Sequence, residues 1–255
     1  VSDLENLART PRLLVALDFD GTLSPLVDEP MSARMIPEAR RALVALAALP
    51  ATDVALVSGR SLADLRVISE HSDDSLFHLA GSHGAETWHP GSQGHEDDVS
   101  DRADRALLDA LAADAERMVA EVDGAWVEPK AFGFGLHTRL ASADAAQKAQ
   151  HDIDALMSER APSWRRRTGR DILEFAFRHE GKDQAVAALR ERLGATAVLF
   201  AGDDVTDEDA LRSLGEGDLG VHVGGGDSAA SVSVEDPAAL AALLARLAQL
   251  RARRG

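Results

Sequence analysis

The sequence predicts an α/β fold, a doubly wound parallel-sheet core carrying an inserted, smaller α+β module. Three observations give this. Short apolar runs alternate with amphipathic stretches up to about residue 101; two hairpin signals and two long helical patterns replace that alternation over 102–179; and the first pattern resumes at Gly181. Residues 1–101 and 180–255 are therefore expected to form one core, interrupted by 102–179.

Within the core, Leu13 to Leu17 is an apolar run that ends at Asp18 and reads as a buried parallel strand. Pro37 suits a first helical turn, and Leu43, Leu46, Ala47 and Leu49 follow at helical spacing. Val54 to Val57 reads as the second strand and stops at Ser58-Gly59; a helix opens near Ser61, and Leu76 to Ala80 forms the third strand. In the insert, a helix over 101–123 precedes strands over 125–130 and 132–138. A second helix over 142–160 precedes strands over 164–168 and 171–177, joined by Gly169-Arg170. Past Gly181 the expected order is helix 182–193, strand 197–201, a helix from Thr206, strand 219–223, and a last helix capped by Asp236-Pro237.

Composition narrows the function classes. With 255 residues and 45% hydrophobic content, the chain can bury one large core or two smaller ones. Its 43 acidic residues against 27 basic ones give a net charge of −16, the wrong sign for a chain that tracks a phosphate backbone, so no nucleic-acid partner is expected. The absence of cysteine excludes disulfides, thiolate metal sites and a cysteine nucleophile. Nowhere do eighteen apolar residues run together, and VSDLENLARTPRL has no basic segment followed by an apolar one. The expectation is a cytoplasmic monomer without a membrane partner. Of the 27 basic residues only Lys130, Lys148 and Lys182 are lysines, so a retained Lys marks a place where a compact ammonium serves better than a planar fork.

Ligands of open α/β sheets bind outside the carboxyl ends of the strands, and four motifs fall there. Asp18-Phe19-Asp20-Gly21-Thr22 follows the first strand. A carboxylate at the strand tip can attack phosphorus and form an aspartyl phosphate. Asp18 is the candidate nucleophile, and Asp20 can protonate the leaving oxygen and later take a proton from water. A helix cap or an Asx turn is the alternative reading. Ser58-Gly59-Arg60 offers a hydroxyl and free amides to a phosphate oxygen, although Ser58 or Ser61 would serve equally as an N-cap. Lys182 opens a helix, with Val186 and Leu189 expected on the opposite face. An ammonium there opposes the helix dipole and suggests an anionic partner such as a phosphoryl group; a solvated surface Lys is the alternative. Last comes Gly202-Asp203-Asp204-Val205-Thr206-Asp207-Glu208-Asp209, whose crowded carboxylates suit Mg²⁺, while an acidic first helical turn accounts better for 207–209 than for Asp203.

In this order the four motifs resemble the haloacid dehalogenase superfamily. That resemblance implies Asp18 as nucleophile, Asp20 as acid/base and Asp203 as a ligand of Mg²⁺. The Asp18 side chain and the Asp20 backbone carbonyl also face the ion, with Asp204 and Asp207 near it or acting through water. Thr22, Ser58 and Lys182 complete the catalytic set. A closer resemblance, over nearly the whole chain, is to trehalose-6-phosphate phosphatases, carried by LDFDGTLSPL, VALVSGR, AGSHGAE, VEPKAFGFGLHTR, LEFAFRHEGKDQAV and GDDVTDED. It implies a sugar phosphate as the partner, with the insert acting as a cap. Glu128, Lys130 and Glu174 would hold the distal glucose, with Arg60, His83, His137 and Arg139 as further contacts. Cross-strand ion pairing is the alternative for the cap residues. The chain departs from many relatives at Thr138, where they carry Tyr, and at Ser82, where they carry Asn. Other readings are a sucrose-phosphate or mannosyl-phosphate hydrolase, a phospho-accepting signalling domain, or an inactive sugar-binding protein.

Overall fold

The computed structural model describes residues 3–91, 102–130, 132–169, 171–177 and 181–253. Asp101 of the expected helix, Arg170 of the expected hairpin and residues 178–180 of the LEFAFRHEGKDQAV segment lie outside the described residues. The chain divides into two compact units, Val1–His95 with Glu180–Gly255, and Glu96–His179.

The first unit is built on a seven-stranded sheet. Its strands are β1 (Leu13–Leu17), β2 (Thr52–Val57), β3 (Phe77–Gly81), β4 (Glu86–Trp88), β9 (Ala197–Gly202), β10 (Leu219–Val223) and β11 (Val232–Val234), in the order β11-β10-β9-β1-β2-β3-β4. All neighbours are parallel except β3 and β4. All five residues of β1 are buried, as expected of a central parallel strand covered on both faces.

Leu13, Val15 and Leu17 face one core with Leu43 and Leu46 of α2 (Pro37–Ala47), Leu62 and Leu65 of α3 (Leu62–Ile68), and Leu240 and Leu244 of α8 (Pro237–Ala252). Leu7 of the unexpected short helix α1 (Asp3–Ala8) joins them. Leu14 and Ala16 face the other core, with Val186 and Leu189 of α6 (Lys182–Leu193) and Leu211 of α7 (Asp207–Ser213). The caps follow the sequence. Ser61 Oγ accepts from Asp64 N at 3.1 Å, and Asp236 Oδ1 from Ala239 N at 2.8 Å.

The second unit packs α4 (Arg102–Val119) and α5 (Ala143–Arg160) on a four-stranded antiparallel sheet of β5 (Trp126–Lys130), β6 (Gly133–His137), β7 (Arg165–Gly169) and β8 (Ile172–Ala176), ordered β5-β6-β8-β7. Phe134, Leu136, Leu173 and Phe175 face the helices and meet Leu111, Ala115, Ile153 and Met157. Alternation places the other residues of each strand on the opposite face. Register sets Glu128, Gly135, Glu174 and Arg167 in one row, and Trp126, His137 and Ile172 in the next.

Leu76, expected in the third strand, is 56% exposed and precedes β3. Strands β4 and β11, three residues each, were not expected; so short a segment completes too little alternation to stand out.

Candidate active site

The four core motifs emerge at the carboxyl ends of β1, β2 and β9 and at the start of α6, and the fold brings them together. Asp18 leaves β1 with its backbone N–H donating to Ala201 O at 2.9 Å, which ties the strand tip to β9. Its side chain is buried. Lys182 Nζ donates to Asp18 Oδ1 and to Asp207 Oδ1, at 2.7 Å each. Lys182 is itself only 2% exposed, which rules out the surface reading of this residue. The partners it meets are two side chains of the protein. Val186 and Leu189 line its own buried face, not the opposite one, because positions i, i+4 and i+7 fall on one side of a helix.

Asp207 is fully buried and organises the loop after β9. Its Oδ2 accepts from the backbone N–H groups of Asp203 and Asp204, both at 3.1 Å. Asp204 Oδ1 accepts from Thr206 N at 2.8 Å, Thr206 Oγ1 at 2.7 Å and Asp207 N at 3.1 Å, the pattern of a carboxylate closing a helix entry. Asp203 stands apart from that turn. Thr22 Oγ1 donates to Asp203 Oδ1 at 3.1 Å and reaches Asp18 Oδ2 only at 3.5 Å. Asp203 also closes on the backbone of Gly21, where an added Cβ would stand 2.0 Å from Asp203 Oδ2; Gly21 adopts φ 77°, so this position requires glycine twice over.

On the β2 side, Arg60 grips Asp20 with two hydrogen bonds, Nε to Oδ2 at 2.6 Å and Nη2 to Oδ1 at 2.7 Å. Ser58 is buried, and its Oγ accepts from Arg60 N at 3.2 Å. The His83 ring packs on Gly59, 2.7 Å from where a Cβ would be.

Charge is crowded here. Burial pushes Asp18 up to about 7 against the pull of Lys182, and pushes Asp203 up to about 6 with the Asp207 charge adding to it. Burial followed by the Asp18 charge pushes Asp207 up to about 8. Burial likewise opposes the Asp204 charge, but Lys182 and the Thr206 hydrogen bonds hold Asp204 below its ordinary value. Lys182 moves the other way: burial opposes its charge, yet Asp18 and Asp207 together keep it above the usual lysine range. One ammonium does not neutralise this many carboxylates. Oxygens of Asp18, Asp203 and Asp207 lie within 4.8 Å of one another, and an all-oxygen donor set of this kind could hold a hard divalent cation.

In the second unit, Lys130 reaches across β6 to pair with Glu174, and Glu128 Oε2 lies 2.6 Å from His137 Nε2. The imidazole of His137 stacks on Trp126 at 4.7 Å, and the Arg139 guanidinium lies 5.4 Å from the centre of that indole. Thr138 faces the helices instead: it is buried, and Gln150 Nε2 donates to its Oγ1 at 3.1 Å. The departure at Thr138 therefore falls off the face that carries Glu128, Lys130 and Glu174.

Two residues escaped sequence reasoning. Trp126 alternates with Glu128 and Lys130 along β5, a signal that could have found it. Glu86 accepts from Ser82 Oγ at 2.6 Å and Leu62 N at 3.0 Å, and no local pattern announces that role.

The fold is shared with a haloacid dehalogenase-like hydrolase from Bacteroides thetaiotaomicron, which superimposes with a TM-score of 0.64 at 14% identity, covering 92% of this chain and 99% of that one. More specifically, a family model described as Trehalose-phosphatase matches residues 16–240, and the chain belongs to that family. It is 37% identical, over 97% of its length, to an uncharacterized glycosyl hydrolase of Mycobacterium tuberculosis, of which it covers 19%. To a trehalose-phosphate phosphatase of Mycobacterium marinum it is 34% identical over 93% of its length, covering 62% of that protein. The chain thus spans under two thirds of the length of these relatives. Among solved structures, the C-terminal domain of C. albicans trehalose-6-phosphate phosphatase superimposes with a TM-score of 0.77 at 21% identity, covering 97% of this chain and 95% of that one. Among the described residues no helix is long and apolar enough to cross a membrane.

Proposed function

We propose that the chain hydrolyses trehalose 6-phosphate to trehalose and inorganic phosphate, with Mg²⁺ as cofactor. The observation that carries this reading is the buried Lys182 ammonium beside the Asp18 carboxylate, at the strand tip where further carboxylates converge. Family membership and the trehalose-phosphate phosphatase of M. marinum supply the substrate.

In this reading Asp18 attacks phosphorus and forms an aspartyl phosphate, and Asp20 protonates the departing sugar oxygen. Asp20 then takes a proton from the water that hydrolyses the acyl phosphate. Lys182 holds Asp18 in place and offsets charge on the phosphoryl oxygens, with Ser58 and Thr22 as hydroxyl partners for those oxygens. Asp203, the Asp18 side chain and the Asp20 backbone carbonyl would hold Mg²⁺, and Asp207 and Asp204 keep the Asp203 loop in shape. When bound, the ion supplies positive charge against the phosphoryl oxygens.

Glu128, Lys130 and Glu174, with His137, Arg139 and His83, are assigned to the sugar hydroxyls. The Lys130–Glu174 and Glu128–His137 pairs would exchange each other for those hydroxyls as the disaccharide binds. The test is phosphate release from trehalose 6-phosphate with and without Mg²⁺, in the parent and in Asp18→Asn. Metal-dependent release that the substitution abolishes is expected, and equal release in both proteins would remove the assignment. A panel including sucrose 6-phosphate and mannosyl phosphates tests the sugar.

A further inference from the structure

In the second unit, the sheet face opposite the helices grades from polar to apolar along the strands. Glu128 and Glu174 lie in one row on either side of Gly135, so bare backbone separates the two carboxylates. In the next row His137 lies between Trp126 and Ile172. Register puts Trp126 on the face away from Phe134 and Leu136, so the apolar core under the helices does not depend on it.

Two contacts hold the His137 ring. Its Nε2 lies 2.6 Å from Glu128 Oε2, and since a carboxylate only accepts, Nε2 carries the proton and donates. The ring also stacks on the Trp126 indole, with centres 4.7 Å apart and planes inclined by 2°. Aromatic pairs at such a distance attract each other beyond the area they bury. The Arg139 guanidinium, 5.4 Å from the centre of the same indole, adds a cation–π contact.

A ligand acts differently on these two restraints. Glu128 is 48% exposed and His137 22%, so the carboxylate is the partner with room to move. Once Glu128 turns to a sugar hydroxyl, the imidazole loses that hydrogen bond and keeps the stack. We propose that Trp126 is a positioning residue for sugar recognition, holding the His137 ring in place while Glu128 changes partners, so that the freed Nε2–H donates to a second hydroxyl of the same sugar. This rests on the assignment of Glu128 and His137 to the sugar hydroxyls. Without the indole, the released imidazole rotates toward solvent, and ordering it again on binding costs side-chain entropy. The role asks for a flat ring and not merely for apolar bulk, so Phe should serve where Leu does not.

The test compares trehalose 6-phosphate with 4-nitrophenyl phosphate in the presence of Mg²⁺, the second substrate having no sugar to recognise. Trp126→Leu should lower kcat/KM for trehalose 6-phosphate about fivefold, the size of an aromatic stacking contribution, with the loss carried by KM. For 4-nitrophenyl phosphate the same variant should keep the parent kcat/KM. Trp126→Phe should hydrolyse trehalose 6-phosphate within about twofold of the parent. In a His137→Ala background, Trp126→Leu should cause no further loss. Equal loss on both substrates, a loss carried by kcat, a Phe variant as impaired as Leu, or an additive drop in the double variant overturns the positioning role. If Trp126→Leu fails to fold, proton NMR of the parent decides. The ring-current shift of the His137 protons, assigned by comparison with His137→Ala, should persist under saturating trehalose, and its disappearance overturns the proposal. Glu128→Gln separates the two readings. A parent KM for trehalose 6-phosphate in that variant removes the assignment of Glu128 to the sugar, whereas a raised KM there beside a parent KM in Trp126→Leu overturns this proposal alone.

Discussion

Lys182 stands between Asp18 and Asp207, its Nζ 2.7 Å from an oxygen of each, with all three side chains out of water. Removing one partner of a buried ionic group leaves the others uncompensated and costs about 3–5 kcal/mol. Lys182→Met, which keeps the length of the side chain and deletes its charge, should lose stability of that order in urea titrations at neutral pH. Phosphate release should vanish with it, since Asp18 would lose the group that holds it.

Gly21→Ala should damage the site more than the fold. The new methyl would occupy the place of the Asp203 carboxylate, and the left-handed backbone adds about 1–3 kcal/mol of strain. Mg²⁺ affinity, read by calorimetry, should drop at least about tenfold as Asp203 is displaced. Circular dichroism should remain that of the parent.

The buried carboxylates make Mg²⁺ binding dependent on pH. Asp18, Asp203 and Asp207 are raised to about 7, 6 and 8, so the folded, metal-free protein holds protons that the unfolded chain has released. Their contribution to stability is complete below about pH 4 and is lost as pH rises through about 6 to 8. A cation held by Asp18 and Asp203 must displace the protons of those two carboxylates. Its affinity should therefore strengthen by at least about tenfold between about pH 5.5 and pH 8. Stabilisation by Mg²⁺ in thermal melts should grow over the same interval.

Arg251 offers a test of stability apart from the site. From the last turn of α8 it donates to Thr52 Oγ1 at 2.6 Å and to three backbone carbonyls, Ala8 O at 3.3 Å, Thr10 O at 2.9 Å and Ala51 O at 2.6 Å. Arg251→Met should cost roughly 2–4 kcal/mol, because buried acceptors lose a charged donor. Activity per folded molecule should be unchanged.

Much of the core was legible because parallel strands covered on both faces spell apolar runs, as Leu13–Leu17 does, and because the motifs sit where those runs stop. The cap strands were legible from the break between residues 130 and 132, from the Gly169-Arg170 signal and from alternation. What stayed hidden is long in sequence and short in space. Of the two partners of Lys182, Asp18 lies 164 residues away, and the Arg60–Asp20 fork spans 40; no window of local sequence holds either. Asp204 and Asp207 differ for a related reason. Both are acids in one loop, but only the fold shows that Asp204 closes a helix entry while Asp207 holds the loop amides and Lys182.

Strand β1 lies between β2, which follows it closely in the chain, and β9, which ends at Gly202. During synthesis one edge of LLVAL therefore waits, its amides and carbonyls unpaired, while the whole insertion is translated. An apolar edge in that condition is a template for pairing with another chain. Yield of native protein should depend on how quickly the ribosome passes the insertion and on chaperones that occupy that edge meanwhile.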